Sequence, residues 1–381
     1  MAARLLFIPQ NEFLRIRHLD GAWQDRCALL ADMCRLNTLV TIKRAGSGHL
    51  GSSFSSLDIV TYLYYHEMNT VAKGIHSSDR DIYFSSKGHD VPGLYSVLYS
   101  LGILSEELFL HLRRIQGTPG HPHIDIPGME ANTGSLGMGI SKARGMAVAK
   151  KMGKRGGHVF VMTGDGEFQE GQIYESLLAT KNQQCNDITV IIDHNKVQTD
   201  KPVETISSLG NLEEKLKAFG WHVERCDGHH FEALKTTFAK MKTITDRPKI
   251  LIADTIKGRG VSFMEHPVDL KMNQGIYRWH AGAPDDDHFW TGWHEIWNRI
   301  QEHCERMGIA AIESREISLY PPLPNPSTDH VSTAFGLALV KLGSRRNDLV
   351  VLDADLASDC HLREFEKQFP ERFIENGIAE Q

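Results

Sequence analysis

Cysteine is sparse and scattered: six residues, at 27, 34, 185, 226, 304 and 360, with no Cys-x-x-Cys pair among them. That spacing argues against a zinc ribbon, a thioredoxin-type redox site and a disulfide framework, and it predicts reduced, structural thiols in the cytoplasm. Long apolar runs are missing as well. No stretch approaches the roughly 18 residues that cross a bilayer, so no membrane partner is expected. The opening MAARLLFIPQNEFLRIRHLDG lacks a sustained apolar core followed by a small-residue cleavage site and reads as a mature cytoplasmic start. Positive charge is not in excess. A formal net charge of -6 and a pI near 6.4 give no basis for a nucleic-acid partner, which leaves a small molecule as the expected ligand. Solenoid-period repeats and low-complexity tracts are absent too.

What is present is enough apolar sequence for packed cores: 41% of 381 residues, more than one ordinary core organises. The stretches CALLADMCRLNTLVTIKRAG, SSLDIVTYLYYHEM, GLYSVLYSLGI and GISKARGMAVAKKMG carry helical patterning, the first closed by a glycine as a C-cap would be. Between and beyond them lie short, almost continuously apolar runs: DIYFSS, HVFVMTG, ITVIIDH, HVERCDG and KILIADTI. Such runs alternating with helices predict parallel strands covered on both faces, the doubly wound α/β class. A proline-rich segment within 311–330 reads as a linker. It separates a large domain, 1–310, from a second helix–strand–helix–strand series, 331–381, that is too short to complete a sheet of its own.

The stretch VFVMTGDGEFQEGQIYESLLATKNQQCNDITVIIDHNKVQTD, 159 to 200, concentrates the chemistry. An apolar run ends in Gly164-Asp165-Gly166; a second ends at Asn195, with 28 residues, 167 to 194, between. That is room for one crossover helix returning to a parallel strand, which brings both run ends to neighbouring strand tips, where doubly wound sheets bind ligands. The glycines allow a sharp turn and close approach to a phosphate. Asp165 and Asn195, with a backbone carbonyl assigned to Val197, form the mixed oxygen set that Mg²⁺ favours, Ca²⁺ or Mn²⁺ being alternatives. Four of the twenty histidines, His49, His89, His121 and His280, stand in glycine-bracketed loops. There they can donate hydrogen bonds to a diphosphate, a sugar hydroxyl or a developing oxyanion. His229 and His230 read as a loop and helix start without a catalytic role.

With AGSGHLGSS, SSKGHDVPGLYSVLYSLG, GTPGHPHIDIPGMEANTGSLGMGIS, KGRGVSFMEHP and WHAGAP, the chain from about residue 25 to 381 resembles the transketolase family. The resemblance implies thiamine diphosphate as cofactor and transfer of a two-carbon ketol unit from a ketose to an aldehyde through the cofactor's ylid. It further implies that residues 1–310 bind the diphosphate and that 331–381 begin the pyrimidine-binding domain. It places His49, His89 and His121 along the substrate channel, with His49 and His89 also at the diphosphate end and His280 touching both. Lys257 matches a lysine near the same phosphate. Gly134 and Leu136 match the loop that meets the aminopyrimidine, and Glu170 a glutamate at the subunit interface. Glu380, in FIENGIAEQ, matches the carboxyl group that hydrogen-bonds the ring nitrogen. In the family that glutamate faces a cofactor held by another subunit, so a homo-oligomer is implied, together with a second chain or missing part supplying the rest of the pyrimidine domain and the C-terminal domain.

Two positions depart from phosphosugar transketolases: Ser332 stands where an arginine is usual, and Asp359 where a serine meets phosphate. A carboxylate about 4 Å from a phosphate repels by roughly 4 kcal/mol at an effective dielectric of 20, about three decades in affinity. A substrate without the usual phosphate is therefore expected, unless the loop is shifted or missing parts supply those contacts. Two alternatives remain: a 2-oxo acid decarboxylating transferase like deoxyxylulose phosphate synthase, which shares the GIAEQ ending, or a non-catalytic cofactor-binding subunit.

Overall fold

The computed structural model describes residues 4–320 and 330–380. Nine strands are used as landmarks: β1 Arg4–Phe7, β2 Ile82–Ser85, β3 Val159–Gly164, β4 Ile188–His194, β5 His222–Asp227, β6 Lys249–Asp254, β7 Arg315–Ser318, β8 Val351–Asp353 and β9 Phe373–Glu375. The five apolar runs form one parallel sheet in the order β2-β3-β4-β6-β5. Their unbroken hydrophobicity follows from having no solvent side. Along β3, Val159 and Val161 enter one core while Phe160 and Met162 enter the other, and β4 and β6 divide in the same way. Only the edge strand β5 alternates between buried and more exposed positions, as a half-covered strand should.

One face is covered by helices Gly139–Met152 and Gly171–Asn182, the other by a group built around Trp23–Ala45. That last helix is buried along almost its whole length and ends at Gly46, whose φ of 76° lets its N–H close on the carbonyls of Ile42 and Lys43. The stretch read as one helix from SSLDIVTYLYYHEM runs as an α-helix to Tyr62 and then widens into a π-turn over Leu63–Glu67. With helices on both faces of a parallel sheet, residues 4–320 are a doubly wound α/β unit.

Arg315–Ser318, read from sequence as part of the linker, is strand β7, paired antiparallel with β1. Ile317 sits opposite Leu5 and packs on the large core, so this end of the segment is tied to the first unit. Residues 321–329 of the same linker lie outside the described residues. Beyond them come helix Val331–Gly343, β8, helix Arg363–Gln368 and β9, with β8 and β9 parallel, the element order expected from sequence.

Candidate active site

Four strands of the sheet, β2, β3, β4 and β6, deliver their C-terminal loops to one cavity of about 270 Å³. Register explains the convergence. β3 and β4 are neighbours with Gly164 opposite Asp193, so Asp165 and Asn195 emerge side by side, buried to 2% and 4% exposure. Two further loops are knotted to the one after β6 by backbone bonds. Gly258 N–H donates to Gly51 O at 2.9 Å, Gly51 N–H to Trp279 O at 2.9 Å, and Gly282 N–H to Gly48 O at 2.8 Å. The residues beside these bonds are Lys257, His49 and His280.

All four singled-out histidines border the cavity. Ring centroids of His49 lie 5.2 Å from His89, 6.1 Å from His121 and 5.2 Å from His280; His89 and His280 are 5.1 Å apart. Burial, then the charges of Arg113, His121 and Lys257, hold His49 down at about 3. Burial drives His89 and His280 well below the ordinary imidazole range, and it lowers His121. The cluster is thus a set of neutral imidazoles that orient oxygens by hydrogen bonds rather than by charge.

At the strand tips, burial raises the Asp165 carboxyl, which accepts from the N–H groups of Gly166 and Lys196. The Asn195 amide oxygen accepts from Val197 N–H at 3.1 Å. Lys257 Nζ donates to the carbonyls of Val197, at 3.1 Å, and Gln198, and burial lowers it to about 8. A cation already sits against the carbonyl read as a metal ligand. Among the described residues no cluster of three or more His, Cys, Asp or Glu is built to hold a metal, so an ion here would need the mixed set of carboxylate, amide and carbonyl. Neither Gly164 nor Gly166 uses a positive φ, contrary to the sharp-turn reading; Gly166 is required for space, since a Cβ there would meet Gln198 Cβ at 2.9 Å.

On the opposite wall, Gly134 takes φ 135°, and its backbone packs against Gly88 so closely that a Cβ on Gly88 would lie 2.9 Å from Gly134 N. Glu380, next to the end of the chain, accepts from Leu136 N–H at 3.0 Å and Ser135 Oγ–H at 2.7 Å. Its own N–H donates to Glu170 Oε1 at 2.7 Å. Glu170 is buried but does not border the cavity; it holds the backbone that presents Glu380. Here the segment carrying Glu380 packs on the first unit of its own chain.

Several cavity residues escaped the sequence reading. Glu167 accepts from Gly137 N–H at 2.8 Å, Gly164 N–H at 3.1 Å and Ser86 O–H, splicing the Gly-Asp-Gly loop to the Leu136 loop; burial pushes it up to about 7. Lys87 is buried between Asp193 and Asp90. Both stand inside quoted blocks, SSKGH and GDGEF, yet nothing local separates them from solvated charges. Asp359 borders the cavity, as does Asp355, whereas Ser332 does not. Burial and the neighbouring Asp200 raise the Asp359 carboxyl. His229, assigned no catalytic role, lies away from the cavity, bridging Asp58 Oδ2 and Ile256 N–H at 2.7 and 2.9 Å.

The family profile described as transketolase, thiamine diphosphate binding domain, matches residues 27–269. The chain belongs to the transketolase family. An apulose-4-phosphate transketolase subunit of Phocaeicola vulgatus is 34% identical over 275 residues, 72% of this chain and 95% of that protein. The 6-deoxy-6-sulfo-D-fructose transketolase subunit SqwG of a Clostridium species is 36% identical over 254 residues, covering 65% and 92%. Human transketolase is 30% identical over 362 residues, 92% of this chain but only 56% of its own length. Transketolase-family members thus include subunits matched almost end to end and longer chains of which this one spans about half. Among solved structures, transketolase from Campylobacter jejuni superposes with a TM-score of 0.63 at 21% identity over 94% of this chain and 62% of that one, a likeness of fold.

The cavity suits the family's cofactor. Ser52 Oγ and His280 Nδ1 are buried polar atoms at its wall without a partner among the described residues, a cost that a polar ligand would relieve. A buried ammonium and neutral imidazoles are in place for an anionic tail, and a carboxylate for a ring nitrogen.

Proposed function

We propose that this chain is the cofactor-binding part of a ketol transferase, which moves a two-carbon unit from a ketose to an aldehyde and is completed by a further chain or chain segment. The observation that carries the reading is the convergence of His49, His89, His121, His280, Asp165, Asn195, Lys257 and Glu380 on one cavity. Thiamine diphosphate, when bound, supplies the carbon nucleophile and the electron sink. Asp165, Asn195 and the Val197 carbonyl would hold Mg²⁺, with Lys257 turning from that carbonyl to the anionic tail. Glu380 would hydrogen-bond the pyrimidine nitrogen, and the four imidazoles orient substrate oxygens and exclude bulk water.

Asp355 and Asp359, both lining the cavity, favour a substrate without a phosphate beside them, because either one in its ionised form would repel a dianion. The six free cysteines fit a reducing cytoplasm. Among the described residues no helix is long and apolar enough to cross a membrane.

The test is reconstitution with thiamine diphosphate and Mg²⁺, with and without a chain supplying the remaining domains, in a homo-oligomer or a mixed one. Ketol transfer from an unphosphorylated ketose exceeding that from xylulose 5-phosphate is the expected result. Preference for the phosphate ester removes the substrate part of the reading. Carbon dioxide release from pyruvate instead would favour the decarboxylating alternative, and cofactor binding without turnover under any pairing would leave a binding subunit.

A further inference from the structure

Arg113 stands behind the histidine cluster rather than in the cavity wall. Its backbone takes φ 56°, a conformation a non-glycine residue keeps only when its surroundings hold it there. Nη1 donates to Ser47 Oγ at 3.1 Å, and Nη2 to His49 Nδ1 at 3.4 Å. Room for the guanidinium comes from Gly120, where a Cβ would approach Arg113 Nε to 2.7 Å. Among the described residues no carboxylate pairs with it, and burial alone shifts it, downward. A guanidinium so placed is there for what it donates to.

An arginine donates and never accepts. The nitrogen of His49 that faces it must therefore be the bare one, which puts the ring proton on Nε2. Nε2 has no protein partner among the described residues, while the ring borders the cavity beside His89, His121 and His280. With a serine or water in place of Arg113, either tautomer would satisfy Nδ1; a group that can only donate selects one.

We propose that Arg113 is a positioning residue that locks His49 as the Nε2–H tautomer, so that this imidazole offers the cavity a hydrogen-bond donor for a ketose oxygen. The role of the donor rests on the ketol-transfer reading above; the tautomer does not.

Selective ¹⁵N-histidine labelling of the full chain, with His49→Gln to assign the signal, reads the tautomer without any turnover. The wild type is expected to show His49 protonated at Nε2, Arg113→Met to show exchange between tautomers, and Arg113→Lys to recover most of the wild-type pattern. In the reconstituted enzyme, Arg113→Met should lower kcat about ten- to a hundredfold while the KM for cofactor stays within about twofold. A wild-type His49 carrying its proton on Nδ1 overturns the proposal whether or not the variants fold. So does an Arg113→Met chain that keeps the Nε2–H pattern, or one that loses it with kcat unchanged. If the tautomer behaves as stated and no ketol transfer is found with any partner, the functional reading fails and the tautomer lock stands.

Discussion

Residues 4–320 and 330–380 follow the same element grammar and reach opposite outcomes. In the first region, a five-stranded parallel sheet carries a large apolar core on each face. In the second, two parallel strands share a small core of Val351, Ala357, Leu362 and Phe365, and eight of the fifteen large exposed hydrophobics among the described residues fall between 331 and 374. A two-stranded sheet is marginal alone, and an apolar surface gathered on so short a segment marks a face meant to be covered. What holds the second region is mostly polar docking. Arg363 pairs with Asp200 at 2.6 Å, Lys201 with Glu366 at 2.6 Å, and Ile378 N–H donates to Gln169 at 2.7 Å. The first region is stabilised by its own burial, and the second is stabilised by what it touches.

The largest effect should come from the carboxylate that the weak region holds against the Leu136 loop of the strong one. Glu380→Gln keeps the shape and loses the carboxyl; ketol transfer in the reconstituted enzyme should fall about 10²- to 10⁴-fold, the usual range for removing a positioned acid or base. Cofactor affinity by calorimetry should change little by comparison. Equal losses of both would mean that Glu380 serves binding rather than chemistry.

The stability contrast can be tested within a single pair of substitutions. Ile191 is fully buried in β4, so Ile191→Ala should cost about 2–5 kcal/mol in denaturant unfolding. Ile374 in β9 is 46% exposed, and Ile374→Thr should stay within about 0.5 kcal/mol while reducing self-association. A comparable cost at both sites would show that the second region is as well packed as the first. Between these lies Asp200→Ala, which removes the buried partner of Arg363. A loss of about 1–3 kcal/mol is expected, seen as lost hydrogen-exchange protection over 330–380 with the five-stranded sheet unchanged.

Legibility follows the same divide. Four of the five strands were readable because strands buried on both faces leave little room for polar residues, and the cavity was readable where glycine-bracketed loops follow them. The chemistry of Glu167, Lys87 and Arg113 was not, because each owes its role to partners about 30 to 106 positions away in sequence, and a charged letter looks the same whether solvated or buried. The β1–β7 pairing was hidden for a different reason: four residues at each end of a large unit carry too little pattern, and only their meeting makes a sheet. Glu380 is the reverse case, an exposed carboxylate next to the end of the chain whose assignment came from resemblance to a family, not from any physical signal in its neighbourhood.

The last prediction concerns pH and centres on Lys257. Burial lowers Lys257 to about 8, against an ordinary value of 10.5. The unfolded chain therefore holds more protons than the folded one between those values, so this group makes folding stability rise with pH across about 8 to 10.5 as the buried charge is shed. Affinity for a polyanionic tail should run the other way, because the ammonium that meets it is lost in the same step. The dissociation constant for thiamine diphosphate should rise by up to about tenfold per pH unit above 8, and the slope should vanish in Lys257→Met, whose affinity at pH 7 is lower to begin with. His49, His89 and His280 are already neutral and add nothing to that slope. A wild-type affinity that is flat from pH 7 to 10 would place the diphosphate away from Lys257, and with it away from the strand tips that distinguish the first region from the second.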